Sequence, residues 1–233
     1  MENGTNKSRL SCPVMLLKMY AFFLVISASI FIIAGKLAYW QGWLFCGIIL
    51  ILLVITSVKF IDRKDLMRER LKPGPGVKWW DRIFFIFHII FIIAIFDVSV
   101  YDGGRFHWSP QLPAIVYIAA YIVMVSSYFF ILWAMLINNF FSRNVRIQAD
   151  RGQYVVQDGP YGFVRHPGYL GMILTFLCMP LVFGSLWGLI PAVLDVIAII
   201  TRTYLEDRML QKELAGYTDY AKKVRYRIMR GIW

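Results

Sequence analysis

The chain has 233 residues, 59% of them hydrophobic and 17% aromatic, and a formal net charge of +11. One soluble core of that size cannot hide so much apolar surface, so the composition excludes an ordinary soluble domain and implies a polytopic membrane protein. The positive charge then reads as membrane topology and attraction to anionic headgroups. A nucleic-acid partner is not expected, because it would need a soluble basic face.

In chain order, apolar runs that match a ~30 Å hydrocarbon layer cover roughly 14–35, 38–58, 83–101 and 113–137. The first is too long for a signal h-region and lacks a convincing small-residue cleavage site, so it is expected to remain as a span. A further apolar region, 169–201, is punctuated by Pro180, Gly184, Gly188 and Pro191. It predicts a hairpin of two shorter helices turning near 183–186. The fold class is all-α: a membrane helix bundle of about six segments with a C-terminal amphipathic helix.

Lysine and arginine orient the bundle. Lys7, Arg9 and Lys18 lie before or in the first span; eight basic residues fall between Lys59 and Arg82, four between Arg143 and Arg165, and eight from Arg202 onward. Only Lys36 and Arg105 lie on the other two connections. The positive-inside rule therefore predicts an integral multi-pass protein with both termini cytoplasmic, in a plasma, inner or endoplasmic reticulum membrane. Cys12, Cys46 and Cys178 show no paired spacing, so neither a disulfide framework nor a metal site is expected.

Asp97, His88 and His107, near span ends or in a connection, read as structural, and Asp195 within the last apolar segment reads equally as a functional charge and as a bonded structural one. Trp79 and Trp80 read as an interfacial anchor. Phe140 and Phe141 either line a lipid tail or pack.

The connection 138–166 is long for a compact protein. Around Asp150-Arg151-Gly152 it alternates polar and apolar residues, which predicts a small hairpin against the membrane face. The motif D-G-P-Y-G-F-V-R-H-P-G-Y-L-G follows at 158–171. Pro167 disfavours the helical basin for His166 and suits the first helical position, so a helix is expected to start there with His166 as its cap. A helix N-terminus beside Arg165 and His166 suits a carboxylate or phosphate; the same residues also suit a basic loop marking the cytoplasmic side.

Beyond the last apolar segment, Leu210, Leu214, Tyr217, Ala221 and Val224 fall at helical spacing on one face, which predicts an amphipathic helix. Arg202 and Glu206 are four apart in the weaker order for an intrahelical pair. They read either as contacts for a ligand carrying both signs or as an interfacial salt bridge.

The run G-P-Y-G-F-V-R-H-P-G-Y-L-G, followed by R-T-Y-L-E-D-R-M-L and G-Y-T-D-Y-A-K-K-V-R-Y-R, resembles the isoprenylcysteine carboxyl methyltransferase family of integral membrane enzymes. The likeness covers roughly 139–227 and rests on the ordered pair of motifs, since R-H-P-x-Y-x-G alone is also similar to membrane sterol reductases. It implies a site for S-adenosyl-L-methionine at the cytoplasmic edge of the bilayer without a Rossmann fold, and no G-x-G-x-x-G is present. By motif position it implies cofactor contacts from Gln153, Tyr154, Val155, Val156, Tyr161, Arg165, His166, Pro167, Gly168, Tyr169 and Glu206. It implies a catalytic, substrate-contacting role for Arg202. The chain is then one membrane domain, 1–233, with four transmembrane helices in 1–137 and the catalytic and cofactor-binding region in 138–233.

Gln153 stands where the family commonly has histidine, and Glu206-Asp207 where it has two glutamates. The L-A-G-Y segment is one residue short, and Met229-Arg230 stands where proline is common; these departures bear on the acceptor more than on the methyl donor. The expected acceptor is a lipid-linked carboxylate such as a C-terminal isoprenylcysteine, entering from the bilayer, which needs an orienting cation and no base. The alternatives are N-methylation of a phospholipid or other amphipathic amine, a nicotinamide-dependent sterol-type reductase, and a non-catalytic lipid-binding protein.

Overall fold

The computed structural model describes residues 12–60 and 75–233. Lys7, Arg9 and the basic residues at 63–72 that support the orientation argument lie outside the described residues. Seven α-helices are found among those described: α1 (Cys12–Ala34), α2 (Trp40–Phe60), α3 (Trp79–Val100), α4 (Ala114–Ile137), α5 (Pro167–Val182), α6 (Leu189–Glu213) and α7 (Tyr217–Lys223). A π-helical turn, Tyr101–Phe106, extends α3. The first four are long and apolar enough to cross a membrane, and α5 is a shorter apolar helix. Their outer faces expose large side chains such as Phe22, Ile51, Phe87 and Ile122, as lipid contact requires.

The expected hairpin is α5 and α6. Pro167 starts α5, Pro180 lies within its last turn, and Gly184 adopts the left-handed conformation (φ +81°) that reverses the chain. Helix α5 packs against α4, where Gly171 permits the approach: a Cβ there would meet Ile131 and lie 3.0 Å from the Ser127 carbonyl oxygen.

Helix α3 packs against α6 along two buried stripes. On α3, Asp81, Phe84, His88, Ile95 and Ser99 recur at helical spacing; on α6, Ala192, Asp195, Ile199 and Arg202 do the same. Both stripes carry ionisable groups, and these pair across the interface. Meanwhile Ile190, Val193, Leu194 and Ile197 face outward, so the first half of α6 is apolar on its outer side.

Two expectations about local structure are corrected. No strand forms among the described residues of 146–156; the chain reverses through a 3₁₀ turn, Ala149–Arg151, closed by Gly152 in the left-handed conformation. The Gln153 N–H donates to the Gln148 carbonyl at 3.3 Å, but the return bond runs from the Gln148 N–H to the Gln153 side chain at 2.6 Å, so no two-way ladder pair forms. The C-terminal amphipathic face is split between two helices: α6 runs unbroken from the membrane segment to Glu213, Leu214 turns extended, and Gly216 (φ +79°) starts α7. Leu210, Leu214, Tyr217, Ala221 and Val224 still share one apolar cluster, joined by Ile147 and Val155. The hydrophobic pattern fixed the partners, while glycine set the break.

Candidate functional site

At the end of the bundle where α3 and α5 begin, a cavity of about 470 Å³ lies among α3, the 138–166 connection, α5, α6 and α7. That is the size of a small-molecule site. Gln153, Tyr154, Val155, Val156, Tyr161, Arg165, His166, Pro167, Gly168, Tyr169, Arg202 and Glu206 all line it.

Local folding explains their placement. Tyr161 sits on a short 3₁₀ turn, Gly159–Gly162, with its hydroxyl taking the Asn138 side-chain N–H (3.1 Å) and its carbonyl taking the Tyr220 hydroxyl (2.7 Å). Burial pushes the Tyr161 phenol up, beyond the ordinary tyrosine range. Tyr154 stands exposed with its ring edge-on to Phe140. At Gly168 a Cβ would meet the Phe141 ring at 2.7 Å, so the backbone of α5 approaches the lining as only glycine allows.

Arg165 and His166 are committed differently from the expectation of free donors to an anion. Both converge on Asp207, which is fully buried: Arg165 forks onto it at 2.7 and 3.0 Å, Arg227 reaches it at 2.8 Å, and Gln211, Tyr217 and His166 add contacts at 2.8, 3.0 and 3.3 Å. The remaining Arg165 nitrogen donates to the Val224 and Arg225 carbonyls, both at 2.8 Å, and the Arg165 and His166 N–H groups donate to Tyr226 and Arg227. Burial alone would raise the Asp207 carboxyl, but hydrogen bonds and charge from His166 and Arg165 hold it well below the usual carboxylate range. Burial beside Asp207 drives the Tyr217 phenol upward. These residues fasten the C-terminal tail over the cavity, so their positive charge is answered within the protein.

Arg202 is likewise answered. It does not pair with Glu206; it forms an ion pair with Asp81 at 2.8 Å and donates to the Arg143 carbonyl at 2.6 Å, with its guanidinium over Phe84 and Phe85 at 4.5 and 4.8 Å. The other Asp81 oxygen takes the Val145 N–H at 2.9 Å, so this one carboxylate holds both α6 and the connection. The Arg202 Nε is buried without a partner.

Two charges of the lining remain unmatched among the described residues. Glu206 accepts the Tyr169 hydroxyl and has no cation in contact. Arg143 lies over the Phe85 ring at 4.9 Å and has no carboxylate in contact. A ligand carrying both an ammonium and a carboxylate complements such a pair, and S-adenosylmethionine carries both; the residues present fit it. Asp81, Arg143, His88 and Tyr217 escaped the sequence reading as site residues. Asp81 had one available signal, a charge at the very edge of an apolar run.

No curated protein matches the chain. Residues 114–215 match the family model described as phospholipid methyltransferase, a segment that starts with α4 and takes in the connection, α5 and α6. The chain is thus an integral membrane protein that carries, over 114–215, a phospholipid-methyltransferase domain, a domain of the isoprenylcysteine carboxyl methyltransferase-like membrane methyltransferases.

Proposed function

We propose that the protein uses S-adenosylmethionine to methylate the amine headgroup of a membrane lipid, at the cytoplasmic edge of the bilayer. When bound, this cofactor supplies a methyl group activated on a sulfonium. Glu206 and Tyr169 would take its amino group and ribose hydroxyls, Arg143 its carboxylate, and the 153–156 segment with Tyr161 the remaining contacts. Arg165, His166 and Asp207 close the tail over the cavity and exclude water, which strengthens every charge contact inside.

The observation that carries the amine acceptor is the Arg202–Asp81 pair at 2.8 Å. A carboxylate acceptor needs an unopposed cation, and Arg202, the residue expected to supply it, already faces a buried carboxylate. With Arg202 neutralised by Asp81, that residue presents no unopposed positive charge to repel a cationic headgroup. The description of the matched family model, phospholipid methyltransferase, agrees with this choice.

One observation favours the carboxylate reading as second: Arg143 keeps an unanswered cation in the lining, and an isoprenylcysteine carboxylate would use it. Purified protein in nanodiscs, given methyl-labelled S-adenosylmethionine, separates the two. Label entering phosphatidylethanolamine supports the amine acceptor; label entering only a farnesylated cysteine would replace it with the second. Reporters fused at each terminus test the orientation, and both are expected on the cytoplasmic side.

A further inference from the structure

The cavity extends inward past the charged residues along α3, where Phe85, Ile89, Ile92 and Met172 make its lining apolar. His88 interrupts that lining. It lies seven residues along α3 from Asp81, about 10 Å deeper by helical rise, and Asp195 lies the same distance inward from Arg202 on α6. The two meet: His88 Nδ1 is 2.7 Å from Asp195 Oδ1. Phe84 stacks on the imidazole at 4.9 Å and Phe176 meets it edge-on at 5.4 Å, which fixes the plane of the ring.

Three features distinguish this pair from a simple tie between α3 and α6. Asp195 Oδ1 accepts from Nδ1, which leaves the lone pair on Nε2, and Nε2 has no partner among the described residues while the ring lines the cavity. Asp195 is fully buried and its Oδ2 has no hydrogen-bond partner. As the hydrogen-bond acceptor for Nδ1, the carboxylate fixes the tautomer and the orientation in which Nε2 can receive a proton from the cavity. Finally, the pair stands at the apolar end of the cavity, where a lipid acceptor would lie, apart from the residues assigned to the methyl donor.

We infer that His88, held by Asp195, is the general base that deprotonates the acceptor amine. This rests on the amine reading above. A primary ammonium is protonated at neutral pH and has no lone pair to give. His88 Nε2 takes one proton from it; the freed nitrogen lone pair forms the new bond to the methyl carbon as the carbon–sulfur electron pair returns to sulfur. The product nitrogen is again cationic, and the proton on His88 leaves to solvent. Tyr169 on α5, Arg202 and Glu206 on α6 and Arg143 on the connection line the same cavity, and Asp81 lies about two turns away on the same helix as His88; among the described residues Asp195 is the ionisable group paired with the imidazole.

The test compares wild type, His88→Gln, His88→Ala and Asp195→Asn in phosphatidylethanolamine nanodiscs. For His88→Gln, kcat at pH 7 should fall about a hundredfold, within the usual range for a lost general base, while affinity for S-adenosylhomocysteine stays within twofold. The deficit should shrink as pH rises and the ammonium loses its proton unaided. Added imidazole should restore His88→Ala at least tenfold, and Asp195→Asn should show a smaller loss with an altered pH profile. A structural tie would move none of these signatures. Unchanged kcat and pH profile in His88→Gln, with wild type active on the amine lipid, would overturn the base and leave the acceptor standing. Should His88→Gln fold poorly, Asp195→Asn decides: a wild-type pH profile there overturns the proposal. Wild type that labels farnesylcysteine and not the amine lipid would overturn both the acceptor and the base.

Discussion

A buried aspartate ties each end of the helix bundle, and the two ties use opposite chemistry. At the end away from the cavity, Asp102 in the π-helical turn accepts the Ser109 N–H and hydroxyl at 2.7 and 2.5 Å and the Ser185 hydroxyl at 2.6 Å. All are neutral donors, and the Tyr39 hydroxyl adds a bond to the Phe183 carbonyl at 2.8 Å. The packing is close enough that a Cβ on Gly103 would overlap the Phe183 carbonyl oxygen, and one on Gly104 would sit 2.9 Å from Ala34. At the cavity end, Asp207 is met by two guanidinium groups, an imidazole, an amide and a phenol. The Asp102 donors sit on a backbone N–H and short serine side chains and so require close backbone approach, whereas long arginine side chains carry their donors to Asp207 from more distant backbone, so a charged tie can border a cavity. One end holds the helices together, and the other holds the tail over a ligand site.

The largest effect that would break this contrast is loss of Asp207. Asp207→Ala strands buried Arg165 and part-buried Arg227 without their carboxylate, and removal of one partner from a buried ionic network costs about 3 to 5 kcal/mol. Thermal unfolding in nanodiscs should show a large fall in Tm, with S-adenosylhomocysteine binding lost as the tail comes away. A wild-type Tm would mean that the apolar cluster of Leu214, Tyr217 and Tyr220 holds the tail by itself. The pH dependence has a definite sign. The carboxyl is depressed in the folded state, so its stabilisation is complete above the unfolded carboxylate value of about 3.9 and is lost as pH falls through the lower folded value. Between pH 5 and 8 this group should leave Tm flat.

At the closed end, Gly103→Ala forces a methyl group onto a carbonyl and should cost about 1 to 3 kcal/mol, as overpacking does. The contrast between the ends sharpens here, because the protein that remains folded should bind S-adenosylhomocysteine as tightly as wild type. Weakened binding would show that strain at the closed end reaches the cavity, against a division of labour between the two.

The two ends also differ in how far the sequence discloses them. Hydropathy gives the four long helices, and Pro180, Gly184, Gly188 and Pro191 give the hairpin, because both signals are local. The R-H-P-G-Y motif marks the cavity, since Pro167 and Gly168 act on the backbone around them. Asp81 with Arg202 and His88 with Asp195 are invisible for the opposite reason: each pair joins α3 to α6 across more than a hundred residues, and only the packing angle decides which charges meet. Glu206 and Asp207 show the limit within one helix. Adjacent acidic residues are equivalent in sequence, yet about 100° of helical rotation sends one into the cavity and the other into the network behind it.

Glu206→Gln tests that distinction with a moderate effect. The side chain keeps its shape and an acceptor oxygen for Tyr169 but loses the unmatched negative charge, so S-adenosylhomocysteine should bind about tenfold more weakly, about 1.4 kcal/mol, with Tm unchanged. A fall in Tm with unchanged affinity would assign Glu206 to the tie and leave the cavity without a cofactor carboxylate.

The smallest expected effect concerns Arg143, the one lining cation left unanswered among the described residues. Its guanidinium rests on the Phe85 ring and is exposed, so water screens much of its charge, and Arg143→Ala should change affinities only about two- to fivefold. What matters is where the change falls. If Arg143 holds the cofactor carboxylate, S-adenosylhomocysteine affinity drops and acceptor KM stays put. If it serves an acceptor carboxylate, farnesylcysteine KM rises and cofactor affinity does not move. Arg143→Lys separates charge from shape: it retains attraction while losing the planar stack on Phe85, so partial recovery in the same parameter identifies a charge contact. Since the Arg143 carbonyl also takes the Arg202 donor at 2.6 Å, through the backbone, neither variant removes that bond. A change in both parameters at once would therefore report a displaced connection, and the cation would then belong with Asp81 and Arg202 in holding the cavity open.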